Sequence, residues 1–277
     1  MQARVSYGLL VSFIVVGLLA VDHWLNKSYL FSAMVVVLAL LAWWEYSQML
    51  FAQRKLWRIA GAVGIAASGF IVGFLQGGGN LLLHHAVFIP TVLFLFALWA
   101  ALSWNGSCPT FSETACWIFG VLYLGYLPTF LLEARHVYGE GLTILFLLTV
   151  KLGDSGAYFV GKCLGKHSIF KVSPRKTLEG TVGGFATAAL VLTLGWPVLL
   201  SSDQPPLLAL LLAAFLIALA AQGGDLIESL LKRSAGAKHS GGFFAEMGGF
   251  LDMIDSVLYA SPIFYGLLTL ARSRGLL

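Results

Sequence analysis

Carboxylates stand at helical spacing in two segments near the C-terminal end of the chain. Residues 223–233 read GGDLIESLLKR and place ionisable or hydroxyl groups at i, i+3, i+4 and i+7: Asp225, Glu228, Ser229 and Lys232. Residues 248–259 read GGFLDMIDSVLY and repeat this spacing at Asp252, Asp255, Ser256 and Tyr259. If both segments are helical, each set of side chains shares one helix face.

Two such acidic faces suit a hard cation. Facing carboxylates repel each other unless a cation lies between them, and Mg²⁺ binds carboxylates together with the phosphate oxygens of a substrate. We therefore predict a divalent-metal site whose ligands are Asp225, Glu228, Asp252 and Asp255. Taken alone, either acidic face is equally compatible with ion pairs to Lys232 or Arg233.

A basic segment, HSIFKVSPRKTLEGTVGG at residues 167–184, has the composition of an anion site. The Ser173-Pro174 pair predicts a helix start, with Ser as the N-cap and Pro at the first position. Free backbone N–H groups at such a start attract anions, and Arg175, Lys176 and Thr177 add two cations and a hydroxyl. Phosphate is the anion we expect; the alternative is an ordinary cap in a basic loop.

A third polar face lies in KLGDSGAYFVGK, residues 151–162. Helical spacing places five side chains together: Lys151, Asp154, Ser155, Tyr158 and Lys162. Ionisable groups inside a membrane segment usually mark function, so Asp154 and Tyr158 are candidates for contact with substrate. The alternative is a Lys151–Asp154 pair that only neutralises itself.

The elements that must position these residues are membrane helices. The chain has 277 residues, of which 58% are hydrophobic and 11% charged, and its mean hydropathy is +0.86, whereas soluble domains are about 25% charged. We predict an all-α integral membrane protein with about nine transmembrane helices, the first a retained helix and not a cleaved signal peptide. The expected spans are 6–22, 29–48, 57–76, 86–104, 116–133, 141–160, 179–200, 207–224 and 250–270.

Lysine and arginine counts predict the orientation. With nine spans, twelve of these residues fall on the side of the N-terminus and four on the other side, which places the N-terminus and both long basic loops in the cytoplasm. We expect one membrane domain over 1–277, in which 1–140 is a scaffold half of about five spans and 141–277 a catalytic half of about four.

Metal-binding carboxylates and phosphate-binding cations at one membrane face predict phosphoryl or nucleotidyl transfer to a lipid. The motifs GxxxxGK[ST], GxSxG and HExxH do not occur in the sequence, so P-loop, α/β-hydrolase and zincin chemistry are not indicated. The alternative class is a cation transporter, which would hold its acidic residues near the middle of the membrane.

These segments resemble the phosphatidate cytidylyltransferase (CDP-diacylglycerol synthase) family. The family signature runs Ser-x3-Lys-Arg, then Lys-Asp, then Pro-Gly-His-Gly-Gly-x-x-Asp-Arg-x-Asp; here it stands as SLLKR, AKHSGGFF and AEMGGFLDMID. The preceding GGDLIES matches Gly-Asp-Leu-x-Glu-Ser, while GDSGAYFVGKCLGKH and SPRKTLEGTVGG match the family's two upstream segments. The resemblance covers about residues 140–270.

The resemblance implies a Mg²⁺-dependent enzyme of the inner (cytoplasmic) membrane that faces the cytoplasm. It would join CTP and phosphatidic acid into CDP-diacylglycerol and pyrophosphate, as a homodimer with two metal positions, one able to take K⁺, and no nucleic-acid partner. Asp225 and Asp252 match the metal-binding aspartates, and Asp255 matches the last signature aspartate. The residues expected to contact phosphate, nucleotide or lipid headgroup are Ser173, Arg175, Lys176, Thr177, Ser229, Lys232, Arg233 and Lys238, with Asp154 and Tyr158 beside them.

The sequence also departs from the family signature. His239 replaces the Asp after the second Lys, Met253 replaces the Arg after the metal-binding Asp, and Ala245, Glu246 and Met247 replace Pro-Gly-His. These changes fall where a loop would contact triphosphate or headgroup. Either the positions are only supportive, or the protein is a paralogue with a different lipid-phosphate acceptor.

Overall fold

The computed structural model describes residues 28–51, 54–75, 111–170, 172–200, 204–235 and 249–277, together with positions 17, 18, 21, 22 and 24. Within this part of the chain, seven helices are long and apolar enough to cross a membrane. They confirm the multi-pass helical class and seven of the predicted spans. The span at 86–104 and most of the span at 6–22 lie outside the described residues, so the count of nine and the orientation stay predictions.

The helices follow the apolar runs closely, because a chain in lipid must satisfy its backbone hydrogen bonds within each segment. A π-helical turn extends α2 at Ile71–Leu75, and another joins α3 to α4 at Leu122–Tyr126. The helices are α1 (Tyr29–Phe51), α2 (Lys55–Phe70), α3 (Phe111–Val121), α4 (Leu127–Tyr138), α5 (Glu140–Leu164), α6 (Leu178–Leu199), α7 (Leu207–Ser234) and α8 (Phe250–Ser273).

A two-stranded antiparallel hairpin precedes α6, and it corrects the predicted helix start at Ser173-Pro174. Strand β1 (Ser168–Phe170) pairs with β2 (Ser173–Thr177), so Ser173, Pro174 and Arg175 are extended. The helix starts after Thr177, whose Oγ1 accepts a hydrogen bond from Gly180 N at 3.1 Å. Proline fits both a first helical turn and the edge of a hairpin, so the Ser-Pro pair did not distinguish the two structures.

The chain divides into two compact units, one formed by Met1–Val137 with His239–Leu251 and the other by Tyr138–Lys238 with Asp252–Leu277. The main boundary falls close to the predicted division at residue 140. The expectation of a single membrane domain stays a prediction.

The first unit is held by aromatic side chains that donate hydrogen bonds to backbone carbonyls. Trp43 Nε1 donates to Arg58 O at 2.8 Å, Tyr46 Oη to Cys116 O at 2.5 Å and Trp117 Nε1 to Trp57 O at 2.9 Å. Each of these bonds satisfies a carbonyl or ring nitrogen that would otherwise be costly to bury. They tie α1, α2 and α3 together in this unit.

The second unit contains α5, α6, α7, nearly all of α8 and the hairpin. Helices α5 and α6 pack closely: a side chain at Gly183 would collide with Val160, so only glycine permits this approach. Stacking of Phe146 on Phe264, with ring centroids 4.3 Å apart, joins α5 to α8. Large apolar side chains point outward, such as Val198 at 80% exposure and Leu194 at 62%, which suits a surface in contact with lipid.

Candidate active site

Three carboxylates of the second unit converge where α7 meets α8. Asp225 and Glu228 come from α7 and Asp255 from α8, and one oxygen of each lies within 4.8 Å of the others. Glu228 is fully buried and Asp255 is 2% exposed, whereas the Asp225 side chain is 43% exposed. The cluster therefore opens to solvent at Asp225.

The close approach of α7 and α8 depends on a glycine beside the first carboxylate. A Cβ at Gly224 would collide with the carbonyl oxygen of Asp255. Glycine is the residue that allows two backbones to come this near. Gly224, directly before Asp225, is thus the residue that lets carboxylates on two helices share one volume.

Lys232 links this cluster to Asp252. Its ammonium forms an ion pair with Glu228, four residues earlier on α7, and lies 3.2 Å from Asp252 Oδ1 on α8. The Lys232 side chain is only 16% exposed. Asp252 is thus held on Lys232 and is not one of the three clustered carboxylates among the described residues.

Lys176 reaches the same cluster from the end of strand β2. Its Nζ lies 2.8 Å from Asp225 Oδ2 and donates a hydrogen bond to Gln222 O at 3.1 Å. The side chain is 17% exposed, so both lysines of the site are largely enclosed. Two cations and four carboxylates, including Asp252, therefore gather from three elements of the second unit, β2, α7 and α8.

The polar face of α5 borders this site. Lys151 Nζ donates a hydrogen bond to Met253 O at 2.7 Å, which joins α5 to the first turn of α8. Asp154 lines a small pocket between α5, α6 and α7 that also receives Thr149 and Gln222. Lys151 therefore has a partner on α8 in addition to its charge interaction with Asp154, and the alternative of a self-neutralising Lys151–Asp154 pair stays open.

The remaining predicted residues have less defined roles. Arg175 and Arg233 are exposed, and Ser173 and Ser229 are half-buried. The Thr177 hydroxyl is engaged in capping α6, and Tyr158 is 58% exposed with its ring 5.8 Å from Lys162 Nζ. Lys238, His239, Ala245, Glu246 and Met247 lie outside the described residues.

Three contributors to the site were not among the residues predicted from the sequence. The backbone carbonyls of Gln222 and Met253 hold Lys176 and Lys151, and no residue type signals such a role. Glu179 anchors the hairpin through backbone N–H groups; its position in the SPRKTLEG segment was the available signal.

Curated relatives are similar over the region that contains this site. A phosphatidate cytidylyltransferase of Bacillus subtilis is 38% identical over 164 residues, which is 58% of this chain and 60% of that protein. The enzyme of Staphylococcus saprophyticus is 37% identical over 56% of this chain and 58% of its own length. That of Helicobacter pylori is 43% identical over 45% and 46%. The chain thus matches roughly half of the length of these relatives.

The family assignment rests on a longer match. The model of the cytidylyltransferase family matches residues 2–271, which includes the carboxylate cluster, both lysines and the hairpin. The match extends through the helices of the first unit, which lie outside the region of about residues 140–270 that the motif resemblance covered. This chain belongs to the cytidylyltransferase family.

Proposed function

We propose that this protein is a CTP:phosphatidate cytidylyltransferase. The observation that supports it best is the convergence of Asp225, Glu228 and Asp255 with the ammonium groups of Lys176 and Lys232. Acidic oxygens suit a metal ion and lysines suit phosphates. The names of the curated relatives and the membership in the cytidylyltransferase family supply the substrate class.

In the proposed reaction, a phosphate oxygen of phosphatidic acid attacks the α-phosphorus of CTP. A new P–O–P bond forms, the bond between the α-phosphorus and the bridging oxygen to the β-phosphate breaks, and pyrophosphate leaves. The attacking oxygen is already anionic, so no strong general base is required. The chief task of the protein is to hold several anions together in line.

The carboxylate cluster fits Mg²⁺. Two buried carboxylates and one partly exposed carboxylate within 4.8 Å of one another would repel without a cation. We propose that Asp225, Glu228 and Asp255 hold the ion, with Asp252 joining them or holding a second ion such as K⁺. When bound, Mg²⁺ would stabilise negative charge on the triphosphate and on the departing pyrophosphate.

The lysines and their neighbours bind the phosphates. Lys176 and Lys232 are paired with carboxylates here, and in the proposed mechanism they turn toward the anionic substrates once a metal ion neutralises those carboxylates. Arg175 and Arg233 are exposed beside them and are proposed to meet the outer phosphates or the headgroup. Ser173, Ser229, Thr177, Lys238, Asp154 and Tyr158 complete the proposed substrate-binding set.

The setting of the enzyme also belongs to the proposal. CTP is a cytoplasmic metabolite, and the lipid tails of the acceptor stay in the bilayer, so we place the site at the cytoplasmic face of the inner membrane. The outward-facing apolar side chains of α6 and α7, such as Leu190 and Leu219, are suited to contact with lipid. We propose a homodimer on the strength of the resemblance alone.

The test is CDP-lipid formation by the purified protein in phospholipid vesicles. With radiolabelled CTP, phosphatidic acid and Mg²⁺, we expect labelled CDP-diacylglycerol and an equal amount of pyrophosphate. Activity only with polyprenyl phosphate or another lipid phosphate would show a paralogue with a different acceptor. Cation flux through the vesicles without any use of CTP would instead support a transporter and overturn the proposal.

A further inference from the structure

A single carboxylate fastens the hairpin to the start of α6. Glu179, the second residue of α6, accepts hydrogen bonds on Oε2 from the backbone N–H groups of Lys166 and His167, at 3.0 and 3.3 Å. Its other oxygen, Oε1, lies 2.6 Å from His167 Nδ1. Because an ionised carboxylate can only accept, the histidine nitrogen is the donor.

Further hydrogen bonds join the two ends of the hairpin segment, His167 and Leu178, beside the Glu179 contact. The carbonyl of His167 accepts a hydrogen bond from Leu178 N at 2.9 Å, directly before Glu179. Ser168 pairs with Thr177, and Phe170 with Ser173, in the strand ladder. Strands β1 and β2 are thus fixed at their base by Glu179 and held to each other by the strand ladder.

Lys176 is carried by the fixed segment. It lies one residue before the Thr177 cap, and its ammonium reaches Asp225 and the Gln222 carbonyl on α7. The contacts at the base of the hairpin set the direction in which the hairpin leaves α6. A change in these contacts therefore moves the side chains that the hairpin carries. Displacement of a catalytic cation by even about 1 Å lowers activity strongly.

Glu179 does more than a carboxylate usually does at a helix start. An acid in the first turn ordinarily stabilises its own helix through the dipole, by about 0.3–1 kcal/mol. Here both oxygens also bind a different segment, Lys166–His167, which precedes β1. The Glu179 side chain is 25% exposed and His167 is 75% exposed, so the contact holds the chain at the protein surface and is not part of a buried core.

We propose that Glu179 is a positioning residue that sets the place of Lys176 in the active site through the base of the hairpin. What Lys176 then does to phosphate rests on the proposed function. The position of Lys176 itself does not rest on it and is measured separately.

The first measurement is the reactivity of Lys176 toward an amine-acetylating reagent, followed by mass spectrometry. In the wild-type protein Lys176 is enclosed and paired with Asp225, so it reacts slowly. In Glu179→Ala we expect acetylation about tenfold faster, with exposed Lys162 unchanged as the internal reference. Glu140→Ala is the matched control, because it removes another first-turn acid, that of α5. Equal Lys176 reactivity in wild type and Glu179→Ala would overturn the proposal.

The second measurement is a double-mutant cycle on CDP-lipid formation. Glu179→Ala should raise the KM for CTP about tenfold with a smaller change in kcat, while Glu179→Gln, which can still accept from both backbone N–H groups, should recover most of the loss. In Lys176→Ala, adding Glu179→Ala should cost little more, because the residues act as one unit. Fully additive losses would contradict positioning. A wild type without cytidylyltransferase activity refutes the proposed function, and the acetylation result then decides the role of Glu179.

Discussion

At the scale of single residues, the site is defined by carboxylates that an apolar helix would not normally bury. Glu228 is fully buried beside Lys232, and Asp255 Oδ1 accepts hydrogen bonds from the backbone and hydroxyl of Ser256. Buried charges persist only where such partners offset their desolvation. The regular spacing in the sequence placed these residues on shared faces. It did not indicate that Asp255 turns toward Asp225 while Asp252 turns toward Lys232, because that depends on the relative rotation of two helices.

Replacing Glu228 by Gln tests whether its carboxylate belongs to the metal site. The change keeps the size of the side chain but removes one negative charge from the cluster, so we expect the Mg²⁺ concentration for half-maximal activity to rise about tenfold. A magnesium titration of CDP-lipid formation measures it, and removal of metal with EDTA should abolish activity in both proteins. Glu113→Gln, which removes a carboxylate paired with Arg54 in the first unit, should leave the titration unchanged. An unaltered titration for Glu228→Gln would remove Glu228 from the ligand set.

The neighbours Lys176 and Arg175 allow an enclosed cation to be compared with an exposed one. Lys176 contacts Asp225 and the Gln222 carbonyl, whereas Arg175 is exposed. We therefore expect Lys176→Ala to lower kcat/KM for CTP by about 100-fold or more and Arg175→Ala by less than about tenfold. Steady-state kinetics with varied CTP measures both. If Arg175→Ala lowered kcat/KM more than Lys176→Ala, Lys176 would contact the outer phosphates and not the reacting phosphorus.

At the scale of elements, helices were easier to predict than the hairpin. In lipid, the apolar runs of α5, α6 and α7 can satisfy their backbone hydrogen bonds only as helices. Their predicted starts agree with the structure to within one residue, whereas α5 and α7 continue past their predicted ends at 160 and 224, to Leu164 and Ser234. The hairpin combines residues that suit several structures: Ser173-Pro174 is compatible with a helix cap, and Glu179 contacts residues twelve and thirteen positions earlier. Contacts of that separation leave no periodic pattern in a sequence.

The spacing between α7 and α8 is the element-level feature that a substitution tests best. In Gly224→Ala the new methyl group would collide with the Asp255 carbonyl, so the helices must separate or the variant loses about 1–3 kcal/mol of stability. We expect a lower melting temperature together with a loss of CDP-lipid formation. Gly266→Ala on α8 is the matched control, because a Cβ there meets nothing within 4 Å. Wild-type stability and activity in Gly224→Ala would show that the carboxylates do not require this close approach.

At the scale of the whole molecule, the order of the spans explains why distant residues meet. In the second unit, the start of α6, the C-terminal part of α7 and the start of α8 come together, because Lys176 contacts Asp225 and Lys232 contacts Asp252. This arrangement is the one expected if the four successive helices of the unit cross a membrane in alternating directions. The predicted order of spans indicated which residues share one face of the membrane. The assignment of that face to the cytoplasm, from the lysine and arginine count, stays a prediction.

The orientation can be measured with Cys163, an exposed free thiol at the end of α5. In a variant whose other cysteines are replaced, a membrane-impermeant maleimide added to sealed right-side-out spheroplasts should not label Cys163, because the predicted orientation places this end in the cytoplasm. Labelling should appear once the membrane is permeabilised. The control has Cys163 replaced and carries Arg274→Cys, an exposed position beyond α8 on the opposite side, and it should react from outside at once. If Cys163 reacts from outside and position 274 does not, the site faces away from cytoplasmic CTP, and both the orientation and the proposed supply of nucleotide are wrong.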